Sequence, residues 1–196
     1  MLIACDDDPP GGTSRRSDAM SRLFGPIFQM AYVVPELEPF LDHMSRVVGV
    51  GPFFLFPTPL PFEWLKRHDE ATTAYDILSH AALAYSGDTM IEVIVPGSDP
   101  SPYRDFLDAG RSGLHHLGSW AVDYDAQMAA ARGAGIRVAI EGKLPLSRFA
   151  YLETDEAWPG TMVEIIEPQP AMLEMFAMIK QAAVGWDGSE PLRTLG

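Results

Sequence analysis

Two phrases decide the architecture: "MIEVIVP", from Met90 to Pro96, and "MVEIIEP", from Met162 to Pro168. Each sets one carboxylate, Glu92 or Glu164, inside an apolar, β-rich run that ends in proline. Strand side chains alternate between two faces, so Glu92 shares a face with Met90 and Ile94, and Glu164 with Met162 and Ile166. An unpaired buried carboxylate costs several kcal/mol or takes up a proton. That face therefore either meets water or holds each acid in a cleft with a partner.

Working outward, the same order of elements occurs twice. "IFQMAYVV" (Ile27 to Val34) is a strand-like run closed by Pro35, which disfavours helix at the residue before it. "ELEPFLDHMSRVVG" places Leu37, Phe40, Leu41, Met44, Val47 and Val48 at helical spacing, with Gly49 as C-cap. The aromatic and proline-rich "VGPFFLFPTPLPFEWLKRH" reads as a strand, a loop and a short extended segment. "YDILSHAALAY" and "TMIEVIVP" flank Ser86-Gly87-Asp88 and read as a β-hairpin.

"LHHLGSWAV" (Leu114 to Val122) then opens a second round. "DYDAQMAAARGAG" is a helix ending at Gly133 to Gly135, "IRVAIEG" a strand, and "RFAYLET" with "GTMVEIIEP" a second hairpin. Setting Gln29 on His116 puts Glu36 on Asp123, Leu37 on Tyr124 and Glu38 on Asp125 without a gap. The second copy is shorter by 15 residues between its markers, because the first carries the proline-rich insertion. This is duplication, too long in period for a solenoid. The fold class that follows is α+β: two tandem βαβββ modules forming a cupped mixed sheet around a shared cleft. The modules span 24–108 and 109–170. Residues 1–23, polar and rich in breakers, read as a flexible extension. Residues 171–196 read as an apolar helix, with Met172, Met175, Phe176 and Met178 as packing residues, followed by a loose tail, "GWDGSEPLRTLG".

Composition narrows the partners. The 196-residue chain carries a formal charge of −13, from 27 acids against 14 Lys plus Arg. Such a surface repels phosphate backbones and anionic lipids, so no nucleic-acid or membrane partner is expected. No apolar run approaches the roughly 20 residues that span a bilayer. The single cysteine, Cys5, cannot form an internal disulfide and fits a reducing compartment, so a cytoplasmic protein is expected.

Gln29 and His116 hold equivalent places in the first strand of each repeat, and Glu92 and Glu164 in the last. Duplication thus offers four donor side chains related by a pseudo-twofold axis. A divalent cation is the partner that satisfies two carboxylates at once, and three oxygens with one imidazole suit Zn, Ni, Co, Mn or Fe. His115, next to His116, is expected on the opposite face as a core or supporting group. His80, beside the first hairpin, reads as structural, and His43 and His68 as ordinary. Arg148 and Tyr151 are candidates to line the cleft. Phe53, Phe54, Phe56, Trp64 and Trp120 read as core by default, or as walls of a pocket.

The duplicated plan, together with "QMAYVVPELE", "GLHHLGSWAVDYDA" and the two "M-[IV]-E-[IV]-I" phrases, resembles the vicinal oxygen chelate superfamily over about residues 24–170. That superfamily includes glyoxalases, methylmalonyl-CoA epimerases, extradiol dioxygenases and bleomycin-resistance proteins. The resemblance implies a divalent metal bound by Gln29, Glu92, His116 and Glu164, a set similar to that of zinc-type lactoylglutathione lyase. It further implies an isomerase or lyase reaction through an enediolate, with Glu164 or Glu92 as base and Glu164 favoured. The substrate would be a small molecule bearing a carbonyl or vicinal oxygens, and the assembly a homodimer. Glutathione-using relatives carry arginine and asparagine where this chain has Val33 and Pro96, so glutathione is not expected. A ring-cleaving dioxygenase is disfavoured because Gln29 replaces a histidine. Epimerase-like action on an acyl-CoA stays open: the chain shows no obvious basic cluster for the phosphates, but a few scattered arginines could serve. The rival reading is a protein that sequesters an antibiotic-like molecule.

Overall fold

The computed structural model describes residues 24–153 and 161–195, so the expected extension at 1–23 lies outside the described residues. The first module runs through β1 (Ile27–Val33), α1 (Leu37–His43), a π-helical turn (Met44–Val48), β2 (Phe53–Leu55), β5 (Leu78–Ser86) and β6 (Thr89–Pro96). Between β2 and β5 the insertion adds β3 (Trp64–Arg67) and β4 (Glu70–Thr72). A linking helix, α2 (Pro102–Asp108), leads into β7 (Gly113–Trp120), α3 (Tyr124–Gly133), β8 (Val138–Leu144), β9 (Ser147–Leu152) and β10 (Met162–Pro168). The chain ends with α4 (Pro170–Ala183) and β11 (Leu192–Thr194).

Local chemistry sets the helix bounds. Gly49 caps the π-helical turn in the left-handed region (φ 79), a conformation that glycine adopts without steric cost. The Asp123 side chain accepts from Ala126 N at the start of α3, and Ser101 from Arg104 N at the start of α2, where Pro102 takes the first helical position.

The strands form one 11-stranded sheet in the order β11-β2-β5-β6-β1-β7-β10-β9-β8-β3-β4. The centre of symmetry lies between β1 and β7, which run antiparallel, while each pairs in parallel with the last strand of its own repeat. Both expected hairpins form: β5 with β6, and β9 with β10.

At the sheet edges, the insertion has the expected strand, loop and short extended segment, β2 to β3, and adds β4. After β2 it crosses to the other half, where β3 pairs with β8 and turns back into β4. The expected loose tail instead supplies β11, which pairs with β2 through Leu192–Phe53 and Thr194–Leu55. Each edge strand of the duplicated sheet thus gains backbone partners from a part of the chain that is not repeated.

Side-chain alternation divides the interior into layers. On the outer face, Ile91 and Val93 pack with Leu37, Leu41 and Met44 beneath α1, while Ile165, Ala150 and Leu152 pack with Tyr124 and Met128 of α3. On the inner face, Met90 and Leu83 meet Phe176 and Ile179 of α4, and Ile94 joins Phe149 and Tyr151. Phe176, Met172 and Met175 therefore pack as expected, but Met178 is 46% exposed because it falls on the solvent side of α4. Phe53 and Phe54 belong to the core. Ile165→Ala, at a side chain with no exposure, should lower unfolding free energy by about 2–5 kcal/mol in a urea titration, with an unchanged m-value.

Candidate metal centre

Strand register builds the floor of the cup. Across the four central strands, one row reads Glu92, Ala31, His116, Met162, and the next reads Met90, Gln29, Gly118, Glu164. The second row is the first seen from the other repeat. Ala31 and Gly118 hold equivalent positions, and both are small, which leaves space between the four longer donors. A Cβ on Gly118 would come within 2.0 Å of Gln29 Oε1. Glycine here is required by close approach of the amide.

The four side chains meet in that space. Gln29 Nε2 donates to Glu92 Oε2 at 3.0 Å. His116 Nε2 lies 3.3 Å from Glu92 Oε2 and 3.4 Å from Glu164 Oε2. One ligand atom from each of Glu92, His116 and Glu164 falls within 4.8 Å of the others, so the group could hold a metal ion. Gln29 Oε1 is buried and finds no hydrogen-bond partner among the described residues. A half-turn of the amide would exchange its two ends and direct the orphaned oxygen at the cluster, where a cation would satisfy it. The donor set and the orphan both fit a divalent ion.

Electrostatics agree with the geometry. Burial alone would lower the His116 pKa, but hydrogen bonds to Glu164 and Glu92 outweigh it and lift the imidazole to about 9. Burial and the nearby Glu92 charge raise the Glu164 carboxyl, against the opposing hydrogen bond to His116. Burial, reinforced by the Glu164 charge, holds the phenols of Tyr103 and Tyr151 well above their ordinary value.

His115 departs from expectation. The register slips between Ala31 and Tyr32, so that Ala31 faces His116 while Tyr32 faces Leu114. His115 is the extra residue of this bulge. A bulge breaks strict alternation, and both imidazoles turn inward with their Nδ1 atoms 3.0 Å apart. Burial, then the His116 charge, pushes His115 down to about 3, so this imidazole is neutral.

The remaining candidates divide cleanly. Tyr151 lines the cleft, its hydroxyl 3.4 Å from His116 Nε2. Arg148 does not: it is held by Glu167 and Asp125 on the outer side. His43, His68 and His80 are exposed. Phe56 lines the cleft, whereas Trp120 stacks on Phe28 at 3.7 Å and Trp64 lies on the outer hairpin, beneath the Lys66 ammonium. Sequence reading missed Tyr103, which comes from α2 and meets Tyr151 edge-on at 5.6 Å. The Ser101-Pro102 pair was a readable helix start, but nothing in the sequence aims that helix at the cleft. Gly118→Ala should weaken Zn or Mn binding by about 10- to 100-fold in a calorimetric titration, since the methyl group takes the place of the Gln29 amide.

The family model for the Glyoxalase/Bleomycin resistance protein/Dioxygenase superfamily matches residues 28–151. No curated protein matches the chain in sequence. Among solved structures, the methylmalonyl-CoA epimerase of Mycobacterium tuberculosis is similar with a TM-score of 0.55 at 19% identity, over 78% of this chain and 93% of that one. A hypothetical protein from Bacillus halodurans gives 0.54 at 14% identity, over 74% and 94%. A variant methylmalonyl-CoA epimerase from Streptomyces coelicolor, in complex with 2-nitronate-propionyl-CoA, gives 0.53 at 15%, over 75% and 96%. At these identities the likeness is one of fold. With the family match spanning both halves of the repeat, the chain belongs to the glyoxalase/bleomycin resistance protein/dioxygenase superfamily, the vicinal oxygen chelate group.

Proposed function

We propose that this protein is a metal-dependent isomerase or lyase that moves a proton beside the carbonyl of a small substrate through an enediolate. The observation that supports the reading is the convergence of Gln29, Glu92, His116 and Glu164, drawn from equivalent positions of both repeats, on one inward-facing point. These four residues would hold the ion. When bound, the cation supplies Lewis-acid stabilisation of developing oxyanion charge, worth several kcal/mol in the transition state.

The rest of the chemistry falls to the protein. The Glu164 carboxylate takes the proton from the carbon next to the carbonyl, and the C–H electron pair moves toward the carbonyl oxygen to give the enediolate. Protonated Glu164 returns the proton to carbon; where delivery comes from the opposite repeat, Glu92 must itself carry a proton, and Glu164 then releases its own to solvent while Glu92 regains one. Glu164 is favoured as the base because its side chain is 9% exposed, against 17% for Glu92. A drier carboxylate is less solvated and binds a proton more readily. The Tyr103 and Tyr151 hydroxyls, beside the carboxylates, are placed to orient the substrate oxygens, and the apolar wall shields the enediolate from water. A sequestering protein needs no such set of four donors.

Protein purified without added metal should carry a divalent ion by elemental analysis, or take one up after chelator treatment. Glu164→Gln should slow exchange of a substrate's α-proton with deuterated solvent by about 10²- to 10⁴-fold while the fold, read by circular dichroism, persists. Unchanged exchange removes Glu164 from the role of base. Tight ligand binding that is indifferent to chelator, with no exchange on any carbonyl compound, selects the sequestering alternative.

A further inference from the structure

Resting on that reading, we infer that the substrate is a neutral carbonyl compound whose reacting end is compact, with vicinal oxygens and an aromatic or branched-alkyl tail, and that thioesters with a charged acyl group, such as methylmalonyl-CoA, are excluded. Three observations point the same way. The cleft above the donors measures about 120 Å³. That is the scale of a single small ring, since an apolar cavity of roughly 150 Å³ binds benzene. The cleft is open on one side, so this volume limits the group seated at the donors rather than whatever extends beyond the mouth.

The cleft is also partly roofed. The insertion leaves β2 beside the first module, where Phe56 N bonds to Ala81 O, and reaches the second at Glu63 N to Lys143 O. Between these ties it passes over the cup, with Phe56, Leu60 and Phe62 lining the cavity opposite Glu92 and Glu164. Phe62 packs on Phe149 at 6.1 Å and on Tyr75 at 5.8 Å. Met172 and Phe176 of α4 line the cavity as well. Apart from the Ser147 hydroxyl, polar atoms thus collect at the floor and apolar surface above it, which suits a molecule with oxygens at one end and hydrocarbon at the other.

Charge is the third observation. No Lys or Arg among the described residues lines the cavity. Those on the elements around it are committed elsewhere: Lys143 to Glu63, Arg148 to Asp125 and Glu167, and Arg104 to the carbonyls of Pro96 and Gly97. A dication bound by Glu92 and Glu164 leaves a net charge of zero, so its attraction acts on the oxygens it would touch and not on a charge carried by the tail. A carboxylate or phosphate on the tail would therefore be desolvated without a partner.

The test uses the full chain loaded with Zn or Mn and reads binding by calorimetry alongside α-proton exchange by NMR in deuterated solvent. The probes are 2-hydroxyacetophenone, its 4-carboxylate and methylmalonyl-CoA. The neutral ketone should bind at least about 100-fold more tightly than its carboxylate, with no measurable binding of the thioester. Equal or tighter binding of either anion, or no binding of the ketone, overturns the inference. Preferential binding of the ketone without exchange leaves this inference standing and removes the proposed proton transfer, so the two fail separately. Phe62→Arg, which brings a cation to the cavity wall, should narrow the preference against the carboxylate at least tenfold. If that variant does not fold, the unmodified protein's ranking of the three probes still decides.

Discussion

Two carboxylates from different strands, held almost out of water above one pair of small residues, set the constraint that the rest of this structure answers. Glu92 and Glu164 both approach His116 Nε2, at 3.3 and 3.4 Å. Ionised together, they repel each other and lose hydration. A protonated His116 returns one positive charge against two negative ones. Burial and the Glu92 charge accordingly hold Glu164 above its ordinary value. A divalent ion would close the deficit while using the Gln29 oxygen that now bonds to nothing among the described residues. The electrostatic imbalance and the orphaned amide are separate observations, and one cation resolves both.

Duplication gives a simple route to such a centre. A single βαβββ module presents its floor at the edge of a sheet, with one carboxylate and one neighbouring donor. Placing two modules antiparallel across β1 and β7 brings each module's floor against its copy. Two donors become four with no further sequence requirement, except that the residues between them stay small. Ala31 and Gly118 meet it, and the 2.0 Å approach of Gln29 Oε1 to a Cβ on Gly118 shows how little tolerance there is.

Much of this was legible in the sequence, because it depends on periodicity. Alternation set Glu92 on one face with Met90 and Ile94, and Glu164 on one with Met162 and Ile166, and the shared frame of Gln29 and His116 pointed to the side chains that face them. The illegible parts depend on breaks in periodicity or on long-range pairing. The bulge at His115 follows from how β1 and β7 meet, which neither strand announces alone. The route of β3 to β8 and of β11 to β2 is set by which edges lie open. An embedded acid is also not by itself a site. Glu141 sits in the apolar "VAIEG", yet it accepts from Tyr124 and pairs with Arg132 at 3.0 Å on the outer side. Glu167, within the second founding phrase itself, is taken by Arg148. The distinction lies in which face the strand turns to the cup, and repetition at equivalent positions was the only feature of the sequence that tracked it.

Symmetry divides the molecule into a part suited to chemistry and a part suited to choice. The floor is shared between repeats, so a change to it tends to disturb donors from both. The roof is not repeated: Phe56, Leu60 and Phe62 come from the insertion, Tyr103 from the linker helix, and Met172 and Phe176 from the C-terminal helix. Each of these also packs into the interior: Phe62 on Phe149, Tyr103 on Tyr151, and Phe176 with Leu83 and Met90. Their apolar character is therefore fixed in part by folding, because a cation among them would be buried without a partner. The same burial that lets the insertion bridge the two halves leaves the cavity without positive charge. Stability and the exclusion of anions thus have a common physical origin in this fold.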